Sequence, residues 1–220
     1  MDIIHDMKCL LRCCVQAHSA RRESLKLDSG IITGIRQLEV LCATNASEKE
    51  EEPIFLLSAG WRTGSTLLQR LIMSDTRVLI WGEPYHECGL IQALAETTQA
   101  FRPGWPKQKW FFHGESRDHL PNQWIANLFP PIENWRKSHR ALFETLFAHP
   151  AMRAGAVRWG IKEVRLTIDD ARYLRWLFPK GRFLFLHRHP LDAYLSYRRR
   201  GGGWYNTFPH QPIILSLIHI

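Results

Sequence analysis

The chain has 220 residues, 45% hydrophobic and 23% charged, with 14 glycines and 12 prolines. This is ordinary globular usage, which excludes a wholly disordered or collagen-like chain and suits one domain with an extension. Lys and Arg (29) outnumber Asp and Glu (21), a formal net charge of +8; that fits a solvated basic surface or an anionic ligand and does not choose between them.

Residues 1–52 read as a helical N-terminal extension. Charged Lys8, Arg12, Arg21, Arg22 and Glu23 interleave with short apolar clusters, Gly30 and Gly34 interrupt, and Ile35, Leu38 and Val40 resume. The Ser47–Glu52 run is a polar, mostly acidic linker. The acidic start, Met1-Asp-Ile-Ile-His-Asp, is unlike a secretory leader. No run approaches the ~20 apolar residues of a membrane span. Cys9, Cys13, Cys14, Cys42 and Cys88 are odd in number and form no C-x-x-C pair, so a reduced, cytoplasmic setting is expected.

Pro53-Ile-Phe-Leu-Leu-Ser is a continuous apolar run ending in a small residue, the pattern of a strand buried on both faces. Gly60-Trp-Arg-Thr-Gly-Ser follows as a turn, then Leu67, Leu68, Leu71 and Ile72 at helical spacing. Arg77-Val-Leu-Ile-Trp is a second strand, closed by Gly82-Glu-Pro, with a helix predicted from Leu90 to Phe101. Residues 102–122, rich in Pro, Trp and Phe, read as an irregular packed insertion; the aromatics of 102–129 suit a core and border a possible acceptor pocket. Ile132, Trp135, Leu142, Phe143 and Leu146 mark an amphipathic helix, and Val157-Arg-Trp-Gly-Ile-Lys a third strand. Thr167 and Asp170 form a capping box opening a helix through Phe178. Arg182-Phe-Leu-Phe-Leu-His is a fourth strand, and Pro190 suits the first turn of the next helix. This alternation predicts an α/β domain with a mostly parallel sheet flanked by helices, binding its ligand at the carboxyl ends of the strands.

Two motifs sit at that edge. In Gly60-Trp-Arg-Thr-Gly-Ser-Thr, Gly60 and Gly64 permit a sharp turn, the helix start directs amides at an anion, and Arg62, Ser65 and Thr66 add donors. It is not a Walker A loop: Ser65 follows Gly64 with no lysine between. In Leu186-His-Arg-His-Pro-Leu-Asp-Ala-Tyr-Leu-Ser, Arg188 stands at a strand end and Ser196 about two turns into the next helix, leaning back towards it. His187 and His189 flank Arg188 and read as lining or packing groups on one strand face. Two anion sites on strand ends suggest a ligand with two separated phosphate-type groups.

Ile54-Phe-Leu-Leu-Ser-Ala-Gly-Trp-Arg-Thr-Gly-Ser-Thr-Leu-Leu resembles the 5′-phosphosulfate loop of sulfotransferases dependent on 3′-phosphoadenylyl sulfate (PAPS). Phe183-Leu-Phe-Leu-His-Arg-His-Pro-Leu-Asp-Ala-Tyr-Leu-Ser-Tyr resembles their 3′-phosphate motif. The resemblance covers roughly residues 53 to 212. It implies a P-loop-like three-layer domain, PAPS as donor and no metal. It places Gly60, Arg62, Thr63, Gly64, Ser65 and Thr66 in the 5′ cradle and Arg188 and Ser196 on the 3′-phosphate. Arg62, where the cytosolic aryl type has lysine, and the Gly82-Glu83 step look closer to the bacterial and tyrosylprotein-type branch. In that branch the Glu is the catalytic base and a lysine like Lys162 lies near the transferring group.

The resemblance therefore implies in-line sulfuryl transfer to an acceptor hydroxyl, or less readily an amine. Glu83 is the base and Arg62 and Lys162 are electrostatic stabilisers. The acceptor is a small molecule, glycan or peptide; no nucleic acid partner and no membrane span is expected. His86, three residues from Glu83, is a rival base. A P-loop nucleotide-dependent kinase and a basic nucleic-acid-binding protein, using Arg198-Arg-Arg-Gly-Gly-Gly, stay open as alternatives. The last residues, Leu215-Ser-Leu-Ile-His-Ile, match a translation of a transposon end used in sequencing adapters. The expected sulfotransferase domain, 53–214, is thus read as incomplete and 215–220 as a non-native tail.

Overall fold

A computed structural model describes residues 30–42, 52–112, 114, 117–122 and 125–198. The expectations for residues 1–29, for the acidic linker before Glu52, for Arg199 onward, and for Cys9, Cys13 and Cys14 lie outside the described residues.

Among the described residues four strands form one sheet in the order β2-β3-β1-β4, where β1 is Ile54–Ser58, β2 Val78–Gly82, β3 Arg158–Glu163 and β4 Arg182–Leu186. All pairings are parallel: Leu56 sits opposite Lys162 and Leu184, and Gly82 opposite Lys162. The apolar run of β1 occupies an interior position and is buried along its whole length, as its composition predicts. β4 has one strand neighbour, and Leu184 and Phe185 stay exposed among the described residues.

The helices are α1 (30–41), α2 (Ser65–Ile72), α3 (Leu90–Thr97), α4 (Glu133–Phe143), α5 (His149–Arg153), α6 (Ile168–Leu177) and α7 (Pro190–Arg198). Right-handed crossovers put α2 on one face of the sheet and α3 to α6 on the other. Phe55, Leu57, Trp159 and Ile161 face the second layer, packing with Ile91, Phe143, Phe147 and Leu174. Phe55 anchors this core, its ring 5.0 Å from Phe183 and 5.8 Å from Phe178. On the other face Gln69 of α2 donates to the Ile80 carbonyl at 2.8 Å. Leu67 and Leu71 keep the predicted helical spacing but are exposed among the described residues.

Gly34 does not interrupt a helix; it lies inside α1. A Cβ there would stand 1.9 Å from the Thr98 carbonyl oxygen, so glycine lets α1 close on the end of α3. Ile31 and Ile35 enter the main core, and Leu38 joins Phe101, Phe111 and Ile132 in a second cluster. That cluster roots the 102–129 insertion, whose described part is a series of short 3-10 turns. The long helix expected around Trp135–Leu146 is α4 and α5 joined by a π-helical stretch, Glu144–Ala148, where the Trp81 indole donates to the Phe147 carbonyl (3.0 Å). α6 opens with the full Thr167–Asp170 capping box. At the amino edge, Glu52 pairs with Arg158 (3.4 Å) and Arg182 (3.5 Å). Among the described residues no helix is long and apolar enough to cross a membrane.

Candidate active site at the carboxyl edge of the sheet

β1 delivers the chain into the 59–64 loop. The Ser58 and Thr63 hydroxyls contact each other and both approach the Gly60 carbonyl, at 2.8 and 3.2 Å. Thr63 is thus turned inward and braces the turn. Gly64 has φ 100° and caps α2, a conformation that favours glycine. Ser65 is buried at the helix start, while Arg62 and Thr66 are exposed. Arg62 itself sits at φ 63°, uncommon for a residue with a side chain and costing about 1 kcal/mol or more.

The second loop leaves β4 beside the first, with the Ala59 amide bonded to the Leu186 carbonyl at 2.8 Å. Arg188 donates from Nη1 to the Arg62 carbonyl at 3.1 Å, and Arg62 donates from Nε to Ser196 Oγ at 3.3 Å. The two motifs therefore meet through Arg62. Ser196 does lean back along α7, but its partner is Arg62 rather than Arg188. His187 and His189 lie past the end of β4, exposed on either side of Arg188, so the shared strand face expected of them is absent and they flank the site from a loop.

The third component joins β2 to β3. The Glu83 amide donates to the Lys162 carbonyl at 2.7 Å, and the Lys162 ammonium donates to Glu83 Oε1. Lys162 is 4% exposed. Glu83 has φ 46° and Tyr85 φ 56°, so the turn after β2 holds two side-chain-bearing residues in the left-handed region. Such strain persists where surrounding structure enforces it, often at functional sites. His86 falls in the next turn; its side chain is outside the described residues.

Sequence reasoning missed two residues here. Glu163 is 4% exposed, and burial, followed by the Glu83 charge, pushes its carboxyl up to about 7. No spacing rule singles out the carboxylate after Lys162. Arg165 lies 5.2 Å from the Trp61 ring centroid and so bears on the first loop from the bend that follows β3. The loop patterns carried no signal for that contact.

A sequence model described as the sulfotransferase family matches residues 53–211. The chain belongs to the sulfotransferase family. No curated protein and no solved structure matches it. The matched region opens just ahead of β1 and takes in both loops, Glu83 and Lys162. The parallel α/β sheet flanked by helices is that of a sulfotransferase, and sulfuryl transfer in general is its chemistry. Among the described residues no group of three or more His, Cys, Asp or Glu could hold a metal ion.

Proposed function

We propose that this sulfotransferase moves the sulfuryl group of 3′-phosphoadenylyl sulfate to an acceptor hydroxyl, less readily an amine, by in-line displacement, in the manner of the bacterial and tyrosylprotein-type branch. The observation that carries this reading is the link Arg188–Arg62–Ser196, which joins the two anion-binding loops on adjacent strand ends. The donor set fits a bisphosphorylated nucleotide: two guanidiniums, the Ser196, Ser65 and Thr66 hydroxyls, and amides at the start of α2. When bound, the nucleotide supplies an activated sulfuryl group and a stable leaving phosphate.

The chain's own residues do the rest. Arg188 and Ser196 anchor the 3′ side, and Gly60, Gly64, Ser65 and Thr66 shape the 5′ cradle, with Thr63 bracing it from within. Arg62 and Lys162 place fixed positive charge where charge develops. Oε1 of Glu83 is engaged by Lys162, and Oε2 is the atom assigned to take the acceptor's proton. The acceptor, a small molecule, glycan or peptide, enters beside Glu83.

Ligand-induced stabilisation tests this, because a ligand bound to the native state raises the unfolding temperature. 3′,5′-ADP should stabilise the protein more than ADP with Mg²⁺ or an oligonucleotide. Preference for ADP with Mg²⁺ would transfer the reading to a kinase, and preference for the oligonucleotide to a nucleic-acid-binding protein.

A further inference from the structure

A cavity of about 600 Å³ opens among α1, α4 and α6. α6 runs from the carboxyl edge of the sheet back to its amino edge, and the cavity takes Arg172, Arg175 and Trp176 from the middle and end of that helix and Pro179 from the turn before β4. No residue of the two strand-end loops lines it.

Its charge is one-sided. Arg36 comes from α1, Arg136, Lys137 and Arg140 from α4, and Arg172 and Arg175 from α6. Among the described lining residues, Glu39 and Glu133 oppose them. Arg136 and Arg140 are a like-charge i,i+4 pair, and Arg172 and Arg175 an i,i+3 pair. Each such pair weakens its own helix, and each is compensated at one member only in part, Arg140 by Glu144 at 3.7 Å and Arg172 by Asp169 at 3.2 Å. An anion seated between the helices offsets that repulsion on both at once.

Two of these cations are held in place. Arg136 donates to the Leu177 carbonyl at 3.1 Å and lies 5.9 Å from the Trp176 ring centroid. Arg140 is 6% exposed, lies 5.6 Å from the Phe178 ring and stands 3.7 Å from Glu144. A guanidinium fixed this way presents a preset fork that matches phosphate or sulfate oxygens. Arg36, Lys137, Arg172 and Arg175 are exposed and surround the two.

We infer that this cavity is a second anion site, for a small molecule carrying two or more phosphate or sulfate groups. Its volume falls in the range of about 300–1,000 Å³ typical of small-molecule pockets. A nucleic acid backbone would instead need a groove that tracks the strand. Ile32, Ile35 and Trp176 add apolar wall against which a ring or sugar can pack. The inference does not rest on the reading of the strand-end site.

Calorimetric titration of the full chain with inorganic tripolyphosphate at about 0.1 M salt tests it. The titration is made on the Arg188→Ala protein, which removes the competing strand-end anchor, and again with Arg36→Glu and Arg175→Glu added. Saturable binding in the first, weakened about tenfold or more in the second, is the expected result. Replacing tripolyphosphate by sucrose octasulfate then distinguishes the source: tighter binding of one assigns the site to a phosphorylated or to a sulfated ligand. Unchanged unfolding temperatures show that the substituted proteins are folded. If the charge reversals prevent folding, Arg36→Ala and Lys137→Ala, both at exposed positions, should each weaken binding about threefold. Absence of saturable binding in Arg188→Ala, or affinity indifferent to the cavity substitutions, would overturn the inference.

Discussion

The Lys162 ammonium is bonded to the Glu83 carboxylate across the β2–β3 seam, and the backbones of the same two residues are bonded to each other. The pair is asymmetric: the Lys162 side chain is 5% exposed and that of Glu83 26%. Removing the carboxylate therefore strands a charge with little access to water. Removing the ammonium leaves a carboxylate that water can reach. Glu83→Gln should destabilise the fold by about 2 kcal/mol, below the ~3–5 of a fully buried pair, and by more than Lys162→Met. Urea unfolding measures both. Under the proposed function Glu83→Gln also lowers kcat by about a hundredfold or more while nucleotide binding stays saturable. Near-normal turnover in that variant would remove Glu83 as the base.

Glu163 gives the fold a pH dependence of known sign. Burial and the Glu83 charge raise its carboxyl from 4.5 to about 7, so the folded state keeps a proton that the unfolded state has lost between those values. The group's stabilisation is complete below about 4.5 and is lost as pH rises through about 7. A shift of this size corresponds to a loss on the order of 3 kcal/mol. Glu163→Gln, which stays neutral, should gain on the parent by that order between pH 4.5 and 8. Comparing the two proteins at each pH cancels other groups, such as His139, whose pKa burial lowers. A stability difference that does not change with pH would reject the assignment. In a Glu83→Gln background the upper edge of the window should fall while the lower edge stays, because one of the two raising causes in the folded state is gone.

The regular elements were legible because their signals are local. The apolar run of β1, the helical spacing in α2 and the Thr167–Asp170 capping box each need only a few neighbouring residues to be read. The site was legible at the level of its loops and not of its contacts. Helical tilt sets the direction in which Ser196 leans, but two arginines lie that way, and only the packed loops select Arg62. Gly34 reads like a helix interruption, since a glycine required for close approach looks the same in sequence as one that ends a helix. His187 and His189 show the converse. Strand alternation was extended past Leu186, where pairing with β1 stops.

Arg62 allows function and stability to be separated. Its carbonyl, not its side chain, receives Arg188, so truncating the side chain keeps that link between the loops. Its φ of 63° penalises any side chain. Arg62→Gly and Arg62→Ala both lose the guanidinium, but only glycine relieves the strain. The Gly variant should be more stable than the Ala variant by about 1 kcal/mol. On the proposed function both should bind 3′,5′-ADP weakly and turn over poorly. Equal thermal stability of the two would show that the loop does not hold this conformation in solution.

Gly30 and Gly34 test whether α1 belongs to the folded unit that carries the site. Both lie in α1, where alanine has the better helix propensity by about 1 kcal/mol. Propensity alone therefore predicts that Gly→Ala stabilises at either position. Their surroundings differ. At Gly30 the added Cβ meets the Gln99 side-chain amide at 2.9 Å, and a flexible side chain can move aside. At Gly34 it meets the Thr98 carbonyl oxygen at 1.9 Å and its carbon at 2.5 Å, and backbone cannot yield without lifting α1 off the end of α3. That lifting would pull at Ile31, Ile35 and Leu38, which join two core clusters. Gly34→Ala should destabilise by about 2 kcal/mol or more, in the range of overpacked cores, while Gly30→Ala should be neutral or mildly stabilising. Thermal unfolding of the pair measures the contrast. If α1 were only an appended extension, both substitutions would follow propensity, and Gly34→Ala would unfold no earlier than the parent.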